Sequence, residues 1–423
     1  MFKKYVFPNK ARLLLIPSKD TKAITVLFLF GVGSRFESPD INGVSHFIEH
    51  LMFKGTKKRP TTLDISKELD RVGAEFNAMT AKDYTGYYVK INHENFKLAV
   101  DILSDMLLNS KFDKEEMNRE RGVIVEEINM YHDNPLMYIE SLFEESVFAG
   151  NSLGWDIAGP VEVIKKVSRD DLLKYRDHFY RADNVVIAVA GKIDKEVKQL
   201  IQKRFIDKAN GVDSAMNSYE KFENTQEDPR VKIQYKDTKQ VQLALGFPCF
   251  GYNDPRTYDL HLLSIILGGN MSSRLFISVR ERRGLAYFIR CYPNFYQDSG
   301  NLLIQSGLDI SRLDEALAVI QEELRKVKKN GVTLKELNDA KEFLRGKIVL
   351  NLEDSSNLTE YYAKQWLLQN ELLTPDEKLK KYAAVTPKKI QALAAELFQE
   401  KFFNLALIGP FKDKEKFYGK IDL

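Results

Sequence analysis

The feature that most limits how this chain can fold is an echo of itself. Val167-Ser168-Arg169-Asp170-Asp171 opens a helix that leads into the apolar run Asn184-Val185-Val186-Ile187-Ala188-Val189-Ala190-Gly191. Val385-Thr386-Pro387-Lys388-Lys389 opens a second helix, leading into Asn404-Leu405-Ala406-Leu407-Ile408-Gly409. A helix feeding a buried strand, twice and in the same order, implies two copies of one α+β fold. With 423 residues, the chain is long enough to give each copy its own core. Residues 205–230 carry no clear period and are rich in Asn, Asp, Glu, Lys and Ser, as an inter-domain linker is. The expected organisation is a first domain over 1–206, a linker over 207–229 and a homologous second domain over 230–423.

Each copy is expected to be a mostly antiparallel sheet packed with helices. In the first, residues 11–16 and 24–30 read as a pair of strands around Pro17-Ser18-Lys19-Asp20, and residues 76–80 and 84–89 as two more. Helical periods cover 61–72, with Gly73 as its stop, then 96–108 and 114–130. In the second, strands are expected over 241–247, 285–295 and 300–308, and helices over 258–267, 313–328 and 333–350.

Only the first copy carries a constellation of reactive side chains. In Ser45-His46-Phe47-Ile48-Glu49-His50-Leu51-Met52-Phe53-Lys54-Gly55-Thr56, a helix projects His46, Glu49 and His50 from one side, while Val44, Phe47, Ile48 and Leu51 cover another. Two imidazoles one turn apart can grip one metal ion, and a neighbouring carboxylate can serve as general base to the water of a zinc hydrolase. This is the H-x-x-E-H order, the reverse of H-E-x-x-H. The competing reading is a pair of ordinary surface histidines.

Context favours the metal. On the helix over 114–130, Glu120, Ile124 and Glu127 share one stripe beside Val123. Carboxylates on an otherwise apolar stripe are costly to bury unless something pairs with them, and a metal ion would. In the second copy, the matching helix holds only His261, expected to be packed or on the surface.

Composition excludes other classes. The chain is 44% hydrophobic and 29% charged, with a net charge of +3, which makes no case for nucleic acid or an anionic membrane. Lys57-Lys58-Arg59 is the densest basic run and reads as a solvated loop. The only cysteines, Cys249 and Cys291, rule out a disulfide framework or a cysteine-rich zinc module and read as small buried apolar residues. Residues 1–10 contain no apolar signal core, and no stretch approaches the roughly twenty apolar residues of a membrane span. A reducing cytoplasm is the expected compartment.

Together these strings resemble the inverzincin metallopeptidases typified by pitrilysin, insulin-degrading enzyme and mitochondrial processing peptidase, over essentially the whole chain. The run His-Phe-Ile-Glu-His-Leu-Met-Phe-Lys-Gly-Thr at 46–56 is among that family's most specific. The resemblance implies one Zn2+ per chain, with His46 and His50 as its first two ligands and Glu49 as the base. It implies a third ligand within Arg119-Glu120-Arg121-Gly122-Val123-Ile124-Val125-Glu126-Glu127, which is Glu127, with Glu120 as an outer carboxylate. Glu126 is the one-residue alternative, about 100° around the helix from the stripe. Arg280 and Tyr287, seven apart, match the family's arginine and tyrosine that reach the active site from the second half. Asn77 and Ala78 match its backbone-binding positions, where an extended peptide adds to a strand.

Four such domains form a closing chamber in the larger relatives, so a two-domain chain implies a dimer. Because both halves of the site are intact here, a homodimer sharing its sites is the simpler form. The expected activity is a zinc endopeptidase acting on short or unfolded peptides. Its rivals are a presequence-type processing peptidase and a non-catalytic scaffold subunit of the same fold.

Overall fold

The computed structural model describes residues 2–18, 20–209, 211 and 218–423. The part of the expected linker at 210 and 212–217, and Lys19 in the first expected turn, lie outside the described residues. The fold is mixed α/β, with two sheets and many helices.

The first sheet is built from β1 (Lys3–Val6), β2 (Arg12–Pro17), β3 (Ala23–Phe30), β4 (Glu75–Thr80), β5 (Thr85–Asn92) and β6 (Val185–Gly191), in the order β1-β2-β6-β3-β5-β4. The second contains β7 (Arg230–Tyr235), β8 (Gln240–Phe250), β9 (Ala286–Phe295), β10 (Ser299–Asp309) and β11 (Asn404–Gly409), in the order β7-β11-β8-β10-β9. Leaving out β1, the two orders superimpose strand for strand. Each sheet also has one parallel pairing, β2 with β6 and β7 with β11, while the rest are antiparallel. The echo in the sequence thus marks β6 and β11, the central strands that the ends of each copy return to form.

The expected pairing of β2 with β3 is a correction. β6 lies between them, parallel to β2 and antiparallel to β3. Val185–Gly191 is buried along its whole length, which suits a strand flanked on both edges and covered on both faces.

The chain groups into two compact units that are not colinear with it. One comprises Met1–Ile128, Trp155–Glu220 and Val349–Leu373, and the other Asn129–Gly154, Lys221–Ile348 and Thr374–Leu423. Two segments therefore cross over. In the second unit, helix Pro135–Val147 buries Ile139, Leu142, Phe143 and Val147 against Ala244, Leu303, Ala406 and Ile408 of the sheet. In the first unit, helix Ser355–Lys364 and the turn after it bury Tyr362, Ala363 and Trp366 against Leu14, Leu27, Leu29 and Val186. Of the expected linker, residues 218–229 form no helix or strand, yet Phe222 packs on Phe148 at 5.0 Å and the buried Gln226 accepts a hydrogen bond from Asn404 at 3.0 Å.

Arg59 is a second correction, although Lys57 and Lys58 of the basic run are exposed as expected. Arg59 is 2% exposed and donates to Glu68, Asp101 and Asp105 at 2.8–3.0 Å. A guanidinium satisfied by three carboxylates can be buried where a lone one could not. Thr56 Oγ1 also donates to Asp105 at 2.6 Å, so the loop after the histidine motif is tied down from inside. Cys291 is buried and Cys249 half-buried, both unbridged, and burial pushes both thiols upward. Among the described residues, no helix is long and apolar enough to cross a membrane.

Candidate metal centre

Helix Val44–Met52 carries the motif, with Val44, Ser45, Phe47, Ile48, Leu51 and Met52 buried in the first unit's core. That leaves His46, Glu49 and His50 on the face turned from the core. Their partner is helix Lys114–Asp133, anchored through buried Met117, Ile124 and Ile128.

The two helices bring three ligand atoms together. His46 Nε2 and His50 Nε2 are 3.2 Å apart, and Glu127 Oε2 is 3.7 Å from the first and 3.5 Å from the second. A tetrahedral ion with bonds of about 2.0–2.1 Å sets its ligand atoms about 3.3–3.4 Å from one another. The three distances therefore fit one zinc-sized ion. Among the described residues, this is the one group of three such side chains with metal-holding spacing. Glu126, the alternative ligand, is exposed and outside it.

The supporting groups are charged and ordered. Glu120, 4% exposed, lies with Oε2 3.1 Å from His50 Nδ1 and Oε1 2.7 Å from Lys54 Nζ. A carboxylate at Nδ1 holds the proton there and leaves Nε2 as the lone-pair nitrogen for a metal. His46 Nδ1 is buried without a hydrogen-bond partner among the described residues. With no metal, the two rings respond oppositely. Burial, then the neighbouring His50, lowers His46 to about 4. Burial also opposes charge on His50, but hydrogen bonds to Glu120 and Glu127 outweigh it and raise that ring to about 9. The hydrogen bond from His50 holds the Glu127 carboxyl below its ordinary value. Glu120 is also lowered, because His50 and Lys54 outweigh its burial.

Glu49 stands outside the three-atom group. Burial raises its carboxyl, partly offset by a hydrogen bond that Thr80 Oγ1 donates to Oε2. Thr80 ends β4, an edge strand of the first sheet, which among the described residues pairs with β5. Asn77 and Ala78 lie on that strand opposite Tyr88 and Tyr87, and Ala78 N donates to Asn77 Oδ1 at 2.9 Å.

Arg280 and Tyr287 belong to the second unit. Arg280 lies in the helical turn Phe276–Glu281, with its guanidinium 4.7 Å from the Phe276 ring and 5.7 Å from that of Tyr287. Tyr287 begins the edge strand β9 and is 80% exposed. His261 is packed, with Nδ1 2.8 Å from the Tyr382 hydroxyl and its ring against Phe295, and burial lowers it to about 4.

Sequence reasoning missed Thr80 and Lys54. Lys54 lies four residues after His50, a spacing that could have marked it. Thr80 reaches the motif only through tertiary folding.

Comparison with known proteins gives the family. The family described as Insulinase (Peptidase family M16) matches residues 12–161, and the one described as Peptidase M16 inactive domain matches residues 166–344. YmxG of Bacillus subtilis (strain 168), described as an uncharacterized zinc protease, is 37% identical over 415 residues, which is 97% of this chain and 98% of its own length. This chain belongs to the M16 peptidase family. A zinc protease of Streptomyces coelicolor is 34% identical over 417 residues, 98% of this chain and 90% of its own. In fold, the chain is similar to a protease from Helicobacter pylori, with a TM-score of 0.91, 24% identity and coverage of 97% of this chain and 99% of that one. As an M16 member with zinc-protease relatives across its length, it has a function of the metallopeptidase type. The three atoms with metal-holding spacing all lie within the residues matched by the first of these two models.

Proposed function

We propose that this protein is a zinc-dependent endopeptidase that cleaves short or unfolded peptides. The observation carrying this reading is the triangle of His46 Nε2, His50 Nε2 and Glu127 Oε2, with sides of 3.2–3.7 Å, beside the half-buried Glu49. Zinc held there supplies Lewis-acid activation of water and of the scissile carbonyl. Glu49 accepts the proton of the attacking water and returns it to the leaving amine. Thr80 occupies Oε2 and leaves Oε1 for the proton.

The peptide lies along β4, where Asn77 and Ala78 sit on a strand open on its outer side. Arg280 and Tyr287 offer N–H and O–H donors to the peptide carbonyl and its oxyanion. In a homodimer with shared sites, each chain's pair serves its partner, and closure around the site selects against folded substrates.

The test is cleavage of a quenched fluorescent library of unstructured peptides by zinc-replete wild type and by Glu49→Gln, with product ends read by mass spectrometry. Cleavage abolished by the substitution supports the proposal, and many cut sites distinguish a general peptidase from a processing enzyme with one. No cleavage by zinc-loaded wild type sinks it in favour of a scaffold. Mixing Glu49→Gln with Tyr287→Phe subunits tests sharing. Recovered activity supports it, and none in verified mixed dimers rejects it.

A further inference from the structure

We propose that Glu37 is a positioning residue for the metal centre: its carboxylate, brought from a preceding loop, caps the first turn of helix Val44–Met52 and thereby fixes His46. This rests on the metal reading above.

The need for such a cap starts at Gly43. The first amides of any helix lack intrahelical partners, and a Ser, Thr, Asp or Asn at the N-cap normally satisfies one of them. Here the N-cap is Gly43, at φ +99°, in the left-handed region that favours glycine. A Cβ there would lie 2.5 Å from the Ala158 carbonyl oxygen and 2.6 Å from Ile164 Cδ1. The position therefore cannot carry a capping side chain.

Glu37 supplies what Gly43 cannot. Its Oε1 accepts from Ser45 N–H at 2.7 Å, and its Oε2 from Gly43 N–H at 2.7 Å and Asn42 Nδ2 at 2.9 Å. It is 6% exposed, and no cation pairs with it among the described residues. When ionised, its charge meets the positive end of the helix dipole. Burial pushes the carboxyl up to about 7 against the pull of these donors, which is the cost of placing it there.

The hold continues into the site. Ser45 Oγ is 2.9 Å from the Tyr175 hydroxyl, which donates to the Gly33 carbonyl at 3.1 Å, so backbone and side chain of Ser45 are both fixed. His46 follows directly. His50, in the last turn, has its own support from Glu120. His46 has no such partner at Nδ1 among the described residues, and its Nε2 meets only the other members of the three-atom group, so its placement depends on the backbone that Glu37 holds.

Two measurements on the full chain test this. In metal-free wild type, hydrogen exchange should show the Gly43 and Ser45 amides protected, unlike uncapped first-turn amides. Exchange as fast as at uncapped helix starts overturns the proposal without touching the metal reading. In Glu37→Gln, which sets an amide NH2 against a backbone N–H, the Zn2+ dissociation constant from chelator competition should rise roughly tenfold, and kcat at saturating Zn2+ should fall with KM little changed. Glu37→Asp, which keeps the charge one methylene short, should fall between the two and serves if the Gln variant does not fold. Wild-type Zn2+ affinity and kcat in a folded Gln variant overturn it. No Zn2+ binding by wild type overturns the metal reading, and the positioning role with it.

Discussion

His46 Nε2 faces His50 Nε2 at 3.2 Å, although the two rings have opposite proton affinities. His46, at about 4, is neutral at pH 7, whereas His50, at about 9, holds a proton between Glu120 and Glu127. A metal ion bound by both nitrogens must displace that one proton.

Zinc binding at pH 7 should therefore release about one proton, and zinc affinity should rise as pH approaches 9. Calorimetry in buffers of different ionisation enthalpy measures the release directly. Without metal the sign reverses. The His50 pKa is raised in the folded state, so its pairing stabilises fully below about 6.5 and is lost as pH rises through about 9. Metal-free protein should lose thermal stability over that window.

Glu127→Gln should weaken zinc binding by more than about 100-fold, since it alters a ligand rather than a support. Glu126→Gln, one residue away but exposed, should leave it near wild type. Glu120→Gln should fall between, at roughly 10–100-fold. Chelator competition on the three variants checks the order.

Thr80→Val should lower kcat by about tenfold, the worth of one hydrogen bond to a charged group, while zinc affinity stays unchanged. Thr80→Ser keeps the hydroxyl and should restore most of the rate. A loss in Thr80→Ser with none in Thr80→Val would mean that the methyl group, and not the hydroxyl, supports Glu49.

Asp83→Asn should destabilise the first unit by about 3 kcal/mol or more. Asp83 is 3.0 Å from Arg35, both are at most 1% exposed, and the Arg35 guanidinium stacks 3.7 Å from the Tyr219 ring. The substitution removes a carboxylate charge that faces this buried cation. Thermal unfolding of the full chain reads the loss.

What the sequence made legible followed from local period. His46, Glu49 and His50 lie on one face because a helix puts them there, and Glu127 was found as a carboxylate on an apolar stripe. The duplication was legible because helix and strand recur in order. The insertion of β6 between β2 and β3 was not, because parallel pairing joins residues far apart in the chain and leaves no mark on either strand. Helix Pro135–Val147 has readable signals in Asn134 and Pro135, but nothing local tells which sheet Ile139 and Phe143 will cover. Arg59 looked solvated because its three carboxylates come from residues 68, 101 and 105.

The helix Ser355–Lys364 sets an order of events during synthesis. Leu14, Leu27, Leu29 and Val186 form a sheet face made early, yet Tyr362, Ala363 and Trp366, which shield it, are translated long after the histidine motif. Until the ribosome has passed residue 366, the unit that bears the metal ligands has a bare apolar flank. A fragment ending at residue 206 would carry all three candidate metal ligands on a sheet complete in its strands but bare on one face.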